Sequence, residues 1–536
     1  MASFLGTWLV LVVCTLGIQL YAVLNGNQKA RVIVPSLLLS EIAAFLWWLF
    51  YWVVLYPSYV TPFRHLPTPA DRSLLTGNFD EFFPSSPVDT VRAVCKSVPN
   101  NGLIRIYGTL SNEAVLATSP EALRDIFSTN AWAFDRPPLF KLLIKKFTGS
   151  DFEFTADEVK LHRKSLMPAF TAQHMREVAP LFWQKTIEMI HGIESEIQIS
   201  PSSAISISNW ASRVALDNIG VAGMRHDVGA VRSTDSMIHR HYSAISSKPN
   251  AFVNWIVLLS EYVGLGLLLN LPLCQNSEIQ AGARYVRSVA EQVIRERKDK
   301  LHGAESGGQS KDIITVALAS NALSAEHLVE WIMILMAAGH ETTAMMLEWT
   351  VYELGTRPEM QKRVREEVRA HSESLGALDA SQLERLAYLN AFCKEVLRCH
   401  PFAPLSRRVA TQDTIICGEH IPKGTHVAYS TMLVNFDEAL WGPDAGSFNP
   451  ERWMQPGMAN TGGATSNYAM MTFSAGPRNC LGQAFARFEL LCVVAALVGR
   501  FDIQLVDPVK ASAVEVGHVA RSKYGVRARL RILDGW

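Results

Sequence analysis

The run Phe473-Ser474-Ala475-Gly476-Pro477-Arg478-Asn479-Cys480-Leu481-Gly482 constrains this chain more than any other stretch, because it reads as a tight turn that presents one thiolate to a metal. Gly476 permits the turn, and Gly482 permits close approach of backbone or cofactor just past the sulfur, since neither carries a Cβ. Backbone N–H groups around the sulfur, with the helix that begins beyond it, keep the thiolate deprotonated and tune the metal. The bland reading is a cysteine that merely happens to be buried, one of 8. The rest of the chain decides against it.

A chain of 536 residues can bury a substantial core, and division by the usual domain length gives three or four domains. The 8 cysteines are scattered, without the dense regular spacing of a disulfide scaffold, which fits reduced cytosolic chemistry. Lys plus Arg equals Asp plus Glu at 50 each, so there is no general electrostatic case for nucleic acid. No internal repeat is found.

Ala2 to Leu24 holds no charged residue and is long enough to span a bilayer as a helix. Its apolar stretch is long, no basic region precedes it and a second apolar segment comes after it, so it reads as an anchor and not a cleaved signal. The second segment, from about Val32 to Tyr56, includes Trp47, Trp48, Phe50, Tyr51 and Trp52 and is interrupted only by Pro35 and Glu41. It either spans or lies at the interface with its aromatics at headgroup depth. A single span with a lumenal N-terminus leaves Lys29 and Arg31 in the cytosol and is the favoured topology; a hairpin is the alternative. Residues 57–70, with Pro57, Pro62, Pro67 and Pro69, read as a stiff hinge because repeated prolines deny a continuous helix.

Past the hinge, Gly102–Gly108 and Ala114–Thr118 read as short strands and Pro120–Phe127 opens a helix. Most of the chain beyond Phe127 is helical until a second short-strand region after Arg398, and Ala304–Ser310 reads as a surface loop. From His327 through Leu347 the sequence is almost continuously apolar, as in a helix threading a core. Within it, Ala338-Gly339-His340-Glu341-Thr342-Thr343 breaks the pattern. Gly339 removes a side chain where a ligand needs room, Thr342 offers a hydroxyl, and Glu341 is a carboxylate too costly to bury without a partner or a proton-transfer task. The ordinary alternative for Thr342 is a bond to the preceding turn. His340 has no metal-binding partner at helical spacing, so a packing or surface role is preferred. Glu395-x-x-Arg398 places an acid and a base on one helix face, with Arg452 downstream.

The cysteine turn, preceded in this order by the Gly-x-Glu-Thr helix, Glu395-x-x-Arg398 and Arg452, resembles the cytochrome P450 family, over roughly residues 60 to 530. The resemblance implies a mainly α fold with smaller β regions, as one haem-thiolate catalytic domain over 71–536 behind the hinge and a membrane anchor over 1–56. It implies heme b held through Cys480 as the metal ligand, in a turn formed by Phe473, Gly476 and Gly482. It assigns the propionates to Arg478, Arg408 and Arg163, and oxygen binding and proton delivery to Gly339, Glu341 and Thr342. Glu395, Arg398 and Arg452 become a buried network that supports the turn. Val159 departs from the pattern, standing where a tryptophan is frequent, so one propionate donor is missing. Ala338 stands where fatty-acid omega-hydroxylases carry a haem-attaching glutamate, so non-covalent haem is expected apart from the Cys480 bond.

The implied activity is monooxygenation of a hydrophobic small molecule, with NADPH electrons arriving through a P450 reductase and cytochrome b5 as a further partner. The expected site is the endoplasmic reticulum membrane with the catalytic domain facing the cytosol and touching lipid. The chain looks most like fungal microsomal members, which points to a secondary metabolite. Asn130–Phe140 and Pro401–Ser406 are candidate pocket segments, and the helices between Pro168 and Lys298 a candidate roof. Two other classes stay open: a haem-thiolate isomerase or dehydratase that needs no external electrons, and, further off, a haem sensor.

Overall fold

The computed structural model describes residues 28–74, 76–78, 97–138, 140–141, 156–200, 203–246, 274–302, 312–320, 322–372, 378–516 and 520–536, with isolated positions before and between them. Most of the first apolar segment, the loop expected over 304–310 and residues 247–273 of the expected roof lie outside the described residues.

Helix α1 (Gln28–Phe50) continues without a break as π-helical backbone over Tyr51–Val60. The hinge therefore begins later than the prolines imply. Pro57 has no N–H to donate, and the ladder closes around it with a wider ring, the Thr61 N–H reaching Tyr56 O at 3.0 Å. Leu39–Val60 is one stretch long and apolar enough to cross a membrane. Glu41, the carboxylate within it, accepts a 2.7 Å hydrogen bond from Thr15 Oγ1 of the first segment. The proline-rich run beyond Val60 is docked rather than free. Phe63 and Leu66 are buried, Thr61 Oγ1 donates to Glu113 Oε2 at 2.5 Å, and the Arg105 side chain donates to Pro57 O at 3.2 Å and Thr68 Oγ1 at 3.1 Å.

The expected strands form at both places. A mixed sheet takes β1 (Leu103–Tyr107), β2 (Glu113–Ala117), β3 (Phe134–Asp135), β5 (Leu405–Ala410) and β8 (His426–Ser430) in the order β1-β2-β8-β5-β3, with β2 and β8 parallel and the other pairs antiparallel. A second sheet orders β4 (Ile205–Ser206), β12 (Arg527–Ile532) and β9 (Phe501–Leu505), and two ribbons pair β6 (Thr414–Ile416) with β7 (Glu419–Ile421) and β10 (Val514–Val516) with β11 (Ala520–Ser522). Along β12 the exposed Arg527 and Arg529 alternate with the buried Ala528 and Leu530, the two-residue period of a half-covered strand.

The helices that position the site are α2 (Pro120–Arg124), α3 (Ala156–Leu166), α4 (Ala172–Ile199), α5 (Ile207–Met224), α6 (Met237–Ser246), α7 (Cys274–His302), α8 (Ala325–Thr356), α9 (Pro358–His371), α10 (Ala387–Cys399) and α11 (Gln483–Arg500). Helix α8 starts where Ser324 accepts from the His327 N–H, a side-chain cap of the usual kind. It then runs through the larger core, with α5, α7 and α11 packed around it. Helix α11 is buried almost all round from Phe488 to Gly499, which is what its near-continuous apolar sequence requires.

Behind the cysteine turn, Glu395 and Arg398 on α10 are both 0% exposed and bonded in bidentate fashion, at 2.9 and 2.7 Å. The Arg452 Nε (3.1 Å), the Trp453 indole (2.9 Å) and the Asn449 N–H (2.8 Å) complete the shell of the carboxylate. Removing one partner of a buried pair strands the other charge. Glu395→Ala should therefore cost about 3–5 kcal/mol of stability, read as a lowered urea midpoint.

Candidate functional site

The cysteine turn is held by its own backbone and by a contact from α2's extension. The Cys480 N–H donates to Phe473 O at 2.8 Å, closing the loop. Gly476 has φ +70°, and a Cβ there would lie 1.7 Å from Phe127 O, so the expected need for glycine is met twice, by conformation and by space. At Gly482 a Cβ would meet no protein atom within 4 Å, so its missing side chain leaves open space beside the sulfur. Burial pushes the Cys480 thiol up, opposed by the Gly482 N–H and the nearby Arg163 charge. Both opposing groups favour the thiolate.

Arg163 on α3 donates to Asn479 O and to Asn479 Oδ1, each at 2.9 Å, and so clasps the residue before the cysteine. Arg478 donates to Phe134 O at 2.6 Å and to Asp135 Oδ1 at 2.8 Å. Burial alone would raise the Asp135 carboxyl, but hydrogen bonds from Lys141 and Arg478 hold it below its ordinary range. Arg408 on β5 lies over the Phe127 and Tyr429 rings at 5.6 and 5.5 Å.

A fourth arginine, which the sequence did not single out, joins them. Strand β3 pairs Asp135 with Val409, so Arg136 emerges beside Arg408. Burial, together with the charges of Arg408 and Arg478, lowers the Arg136 guanidinium to about 10. Its signal in the sequence, Asp-Arg-Pro, says nothing of a partner; the pairing register creates the cluster. Trp132 adds a ring near Lys160 (4.5 Å) and Arg478 (5.7 Å), next to the position where Val159 replaces a tryptophan.

On α8 the Thr342 hydroxyl donates to Ala338 O at 2.7 Å, the bond to the preceding turn expected of an ordinary helical threonine. The oxygen keeps acceptor capacity for a second partner. Gly339 has a different reason from the one anticipated. A Cβ there would lie 3.1 Å from two Ile219 side-chain atoms, so the space it leaves is filled by α5 and not by a ligand. His340 is buried, 2.8 Å from Ser212 Oγ and beside the Tyr242 ring, a packing role. Glu341 lines a cavity with His340, Ser212 and others. Glu489 on α11, the helix that follows the cysteine turn, accepts from Asn218 of α5 at 2.9 Å, and Thr343 of α8 is near enough to act on its charge. Burial raises this carboxyl well above its ordinary range, so it serves as a neutral hydrogen-bonding group.

These residues fit haem. Cys480 and Arg136 are open to solvent-sized contact and yet closely hemmed in by protein, so they face an internal space and not bulk water. Ala338 is exposed in the middle of a core helix. Among the described residues, Arg136, Arg408 and Arg478 gather beside a single carboxylate, Asp135, which leaves positive charge for an anionic ligand. Asn435, a further residue without a signal in the sequence, braces the way into the turn: it donates to Arg398 O (2.9 Å) and Thr472 Oγ1 (3.0 Å) and accepts from the Met471 N–H (2.9 Å).

Residues 104–521 match the family model described as Cytochrome P450. The chain is 43% identical to the cytochrome P450 monooxygenase FSL4 of Gibberella zeae, over 100% of both chains. It is 39% identical to the cytochrome P450 monooxygenase sphH of Aspergillus fumigatus, covering 91% of this chain and 92% of the relative. Against the cytochrome P450 monooxygenase FUM15 of Gibberella moniliformis the identity is 32%, over 90% of each.

Gly476→Ala should disrupt the turn through both the left-handed φ and the clash with Phe127 O. The expected outcome is a several-fold fall in the ratio of haem to protein absorbance after purification.

Proposed function

Because this chain belongs to the cytochrome P450 family, we propose that it is a membrane-anchored, NADPH-dependent monooxygenase that inserts one oxygen atom of O2 into a hydrophobic small molecule, a fungal secondary metabolite. The observation that carries this reading is the Cys480 turn, its N–H closed on Phe473 O and its sulfur facing an internal space near a cluster of guanidinium groups. Bound there, haem supplies one-electron redox chemistry and dioxygen cleavage, for which a thiolate is a suitably donating ligand.

The residues of this chain have separable tasks. Cys480 is the iron ligand, and Phe473, Gly476 and Gly482 shape the turn around it. Arg163, Arg408 and Arg478, with Arg136, balance the propionate charges, Arg136 and Trp132 standing in for the donor lost at Val159. Ala338 leaves room for substrate beside α8. Thr342 Oγ1 and the Glu341 carboxyl hold and pass protons, while Gly339 seats that segment against Ile219. The half-buried Leu405–Val409 side of β5 is a candidate wall for an apolar substrate.

The apolar stretch Leu39–Val60 supports an anchor in the endoplasmic reticulum membrane with the catalytic domain in the cytosol. There a flavoprotein reductase, and cytochrome b5, would reach it. The Thr15–Glu41 hydrogen bond favours a second segment beside the first and so a hairpin.

The test is the optical difference spectrum after dithionite reduction and carbon monoxide addition. The protein should give the strongly red-shifted thiolate-carbonyl band, and Cys480→Ala should lose it; the same band in Cys480→Ala would refute the ligand assignment. Strict NADPH dependence of product formation separates a monooxygenase from an isomerase. Thr342→Ala should keep the band and divert electrons to peroxide, seen as a several-fold higher peroxide yield per NADPH.

A further inference from the structure

A cavity of about 380 Å³ lies between α5, α6 and α8 and touches β11. Its buried floor mixes polar and apolar groups: His239 from α6, with His340, Glu348, Ala344 and Met345 from α8. Asn209 and Ser243, which also line it, are exposed. The cavity thus runs from an exposed rim to a buried floor, and Glu341 forms part of its wall. Arg521 of β11 brings a cationic side chain to the lining.

Glu348 stands seven residues after Glu341 on the same helix. That places it on nearly the same face, about 10 Å along the axis. A carboxyl in a core helix is costly unless it has partners or a task. Here Ser208, Arg521 and Glu341 are near enough to act on its charge. No proton crosses such a distance in one hop, but the cavity is large enough for several bridging waters, and Ser208, Ser212 and His239 give them polar partners.

We propose that this cavity is a water-filled proton intake, in which Glu348 takes protons from solvent and passes them through water to Glu341 and so to Thr342. The proposal rests on the proton role proposed for Glu341 and Thr342. Glu348 acts through Glu341 and does not touch the reacting atoms.

The groups facing Glu348 agree with that task. Burial pushes its carboxyl up to about 7, with the Glu341 charge adding to the rise and Ser208 and Arg521 opposing it. Both protonation states are then present near neutrality, the condition for efficient exchange. Burial holds His340 down at about 3 and lowers His239 as well, so both imidazoles stay neutral there. As pH rises through about 7, Glu348 loses its proton and the intake slows.

The test uses the haem-loaded full chain with NADPH and a purified P450 reductase, and no added substrate. Reduction of dioxygen to water consumes four electrons and four protons, whereas release as hydrogen peroxide consumes two of each. The share of consumed dioxygen that leaves as peroxide therefore reports a shortage of protons. In the wild type this share should climb as pH rises through about 7. Glu348→Gln keeps the size and the polar contact but cannot titrate. It should raise the share about twofold or more at neutral pH and below, and flatten the profile. Glu348→Asp should restore the pH dependence. Ser243→Leu, at the exposed rim, leaves Glu348 intact and should raise the share by closing the mouth, so a Glu348→Gln protein that fails to load haem does not end the test. A wild-type share and profile in Glu348→Gln and Ser243→Leu, beside a raised share in Glu341→Gln, would overturn the intake alone. A wild-type share in Glu341→Gln as well would overturn the proton role of Glu341 on which the intake depends.

Discussion

Glu395 carries its charge where no water reaches, and its two oxygens accept from five donors: Arg398 twice, Arg452, the Trp453 indole and the Asn449 N–H. Desolvating a carboxylate is expensive, and only a complete shell offsets it. That completeness fixes the end of α10, the segment around Pro450 and the backbone at Asn435 and Ala445 relative to one another, because Arg398 also donates to Asn435 O and Ala445 O, both at 2.7 Å. The chain therefore enters the cysteine turn from a frame with no slack. A soft strand of backbone becomes a rigid support without any contact to the sulfur itself.

What could be read in advance was whatever depends on local chemistry. The turn from Phe473 to Gly482, the i,i+3 pair Glu395 and Arg398, the long apolar helix and the first two strands all announce themselves within a few residues. What could not be read depends on register and on neighbours from elsewhere in the chain. Arg136 joins the basic cluster only because β3 pairs Asp135 with Val409. Gly339 looks like room for a ligand until Ile219 arrives from α5 to fill it. Pro57 looks like a break until the backbone widens around it. Asn435 is one asparagine among many until three partners converge on it.

The charges divide by position. Guanidinium groups gather where β3 and β5 meet the cysteine turn, and burial with their mutual repulsion makes their charge costly there. On the α8 and α11 side the buried acids Glu348 and Glu489 are raised by burial toward the neutral form. One side of the interior is suited to holding an anion, and the other to storing hydrogen atoms on oxygen.

Ala338 is the only exposed residue from His327 to Thr356, all of which are described. The backbone that carries it is fixed on other faces, by Gly339 against Ile219 and by the buried Thr343 beside Glu489. A larger side chain at 338 would subtract volume from the inner space without moving its wall. Exchanging that one methyl group is thus a change the rest of the fold can absorb, because what holds this stretch of α8 lies on its other faces.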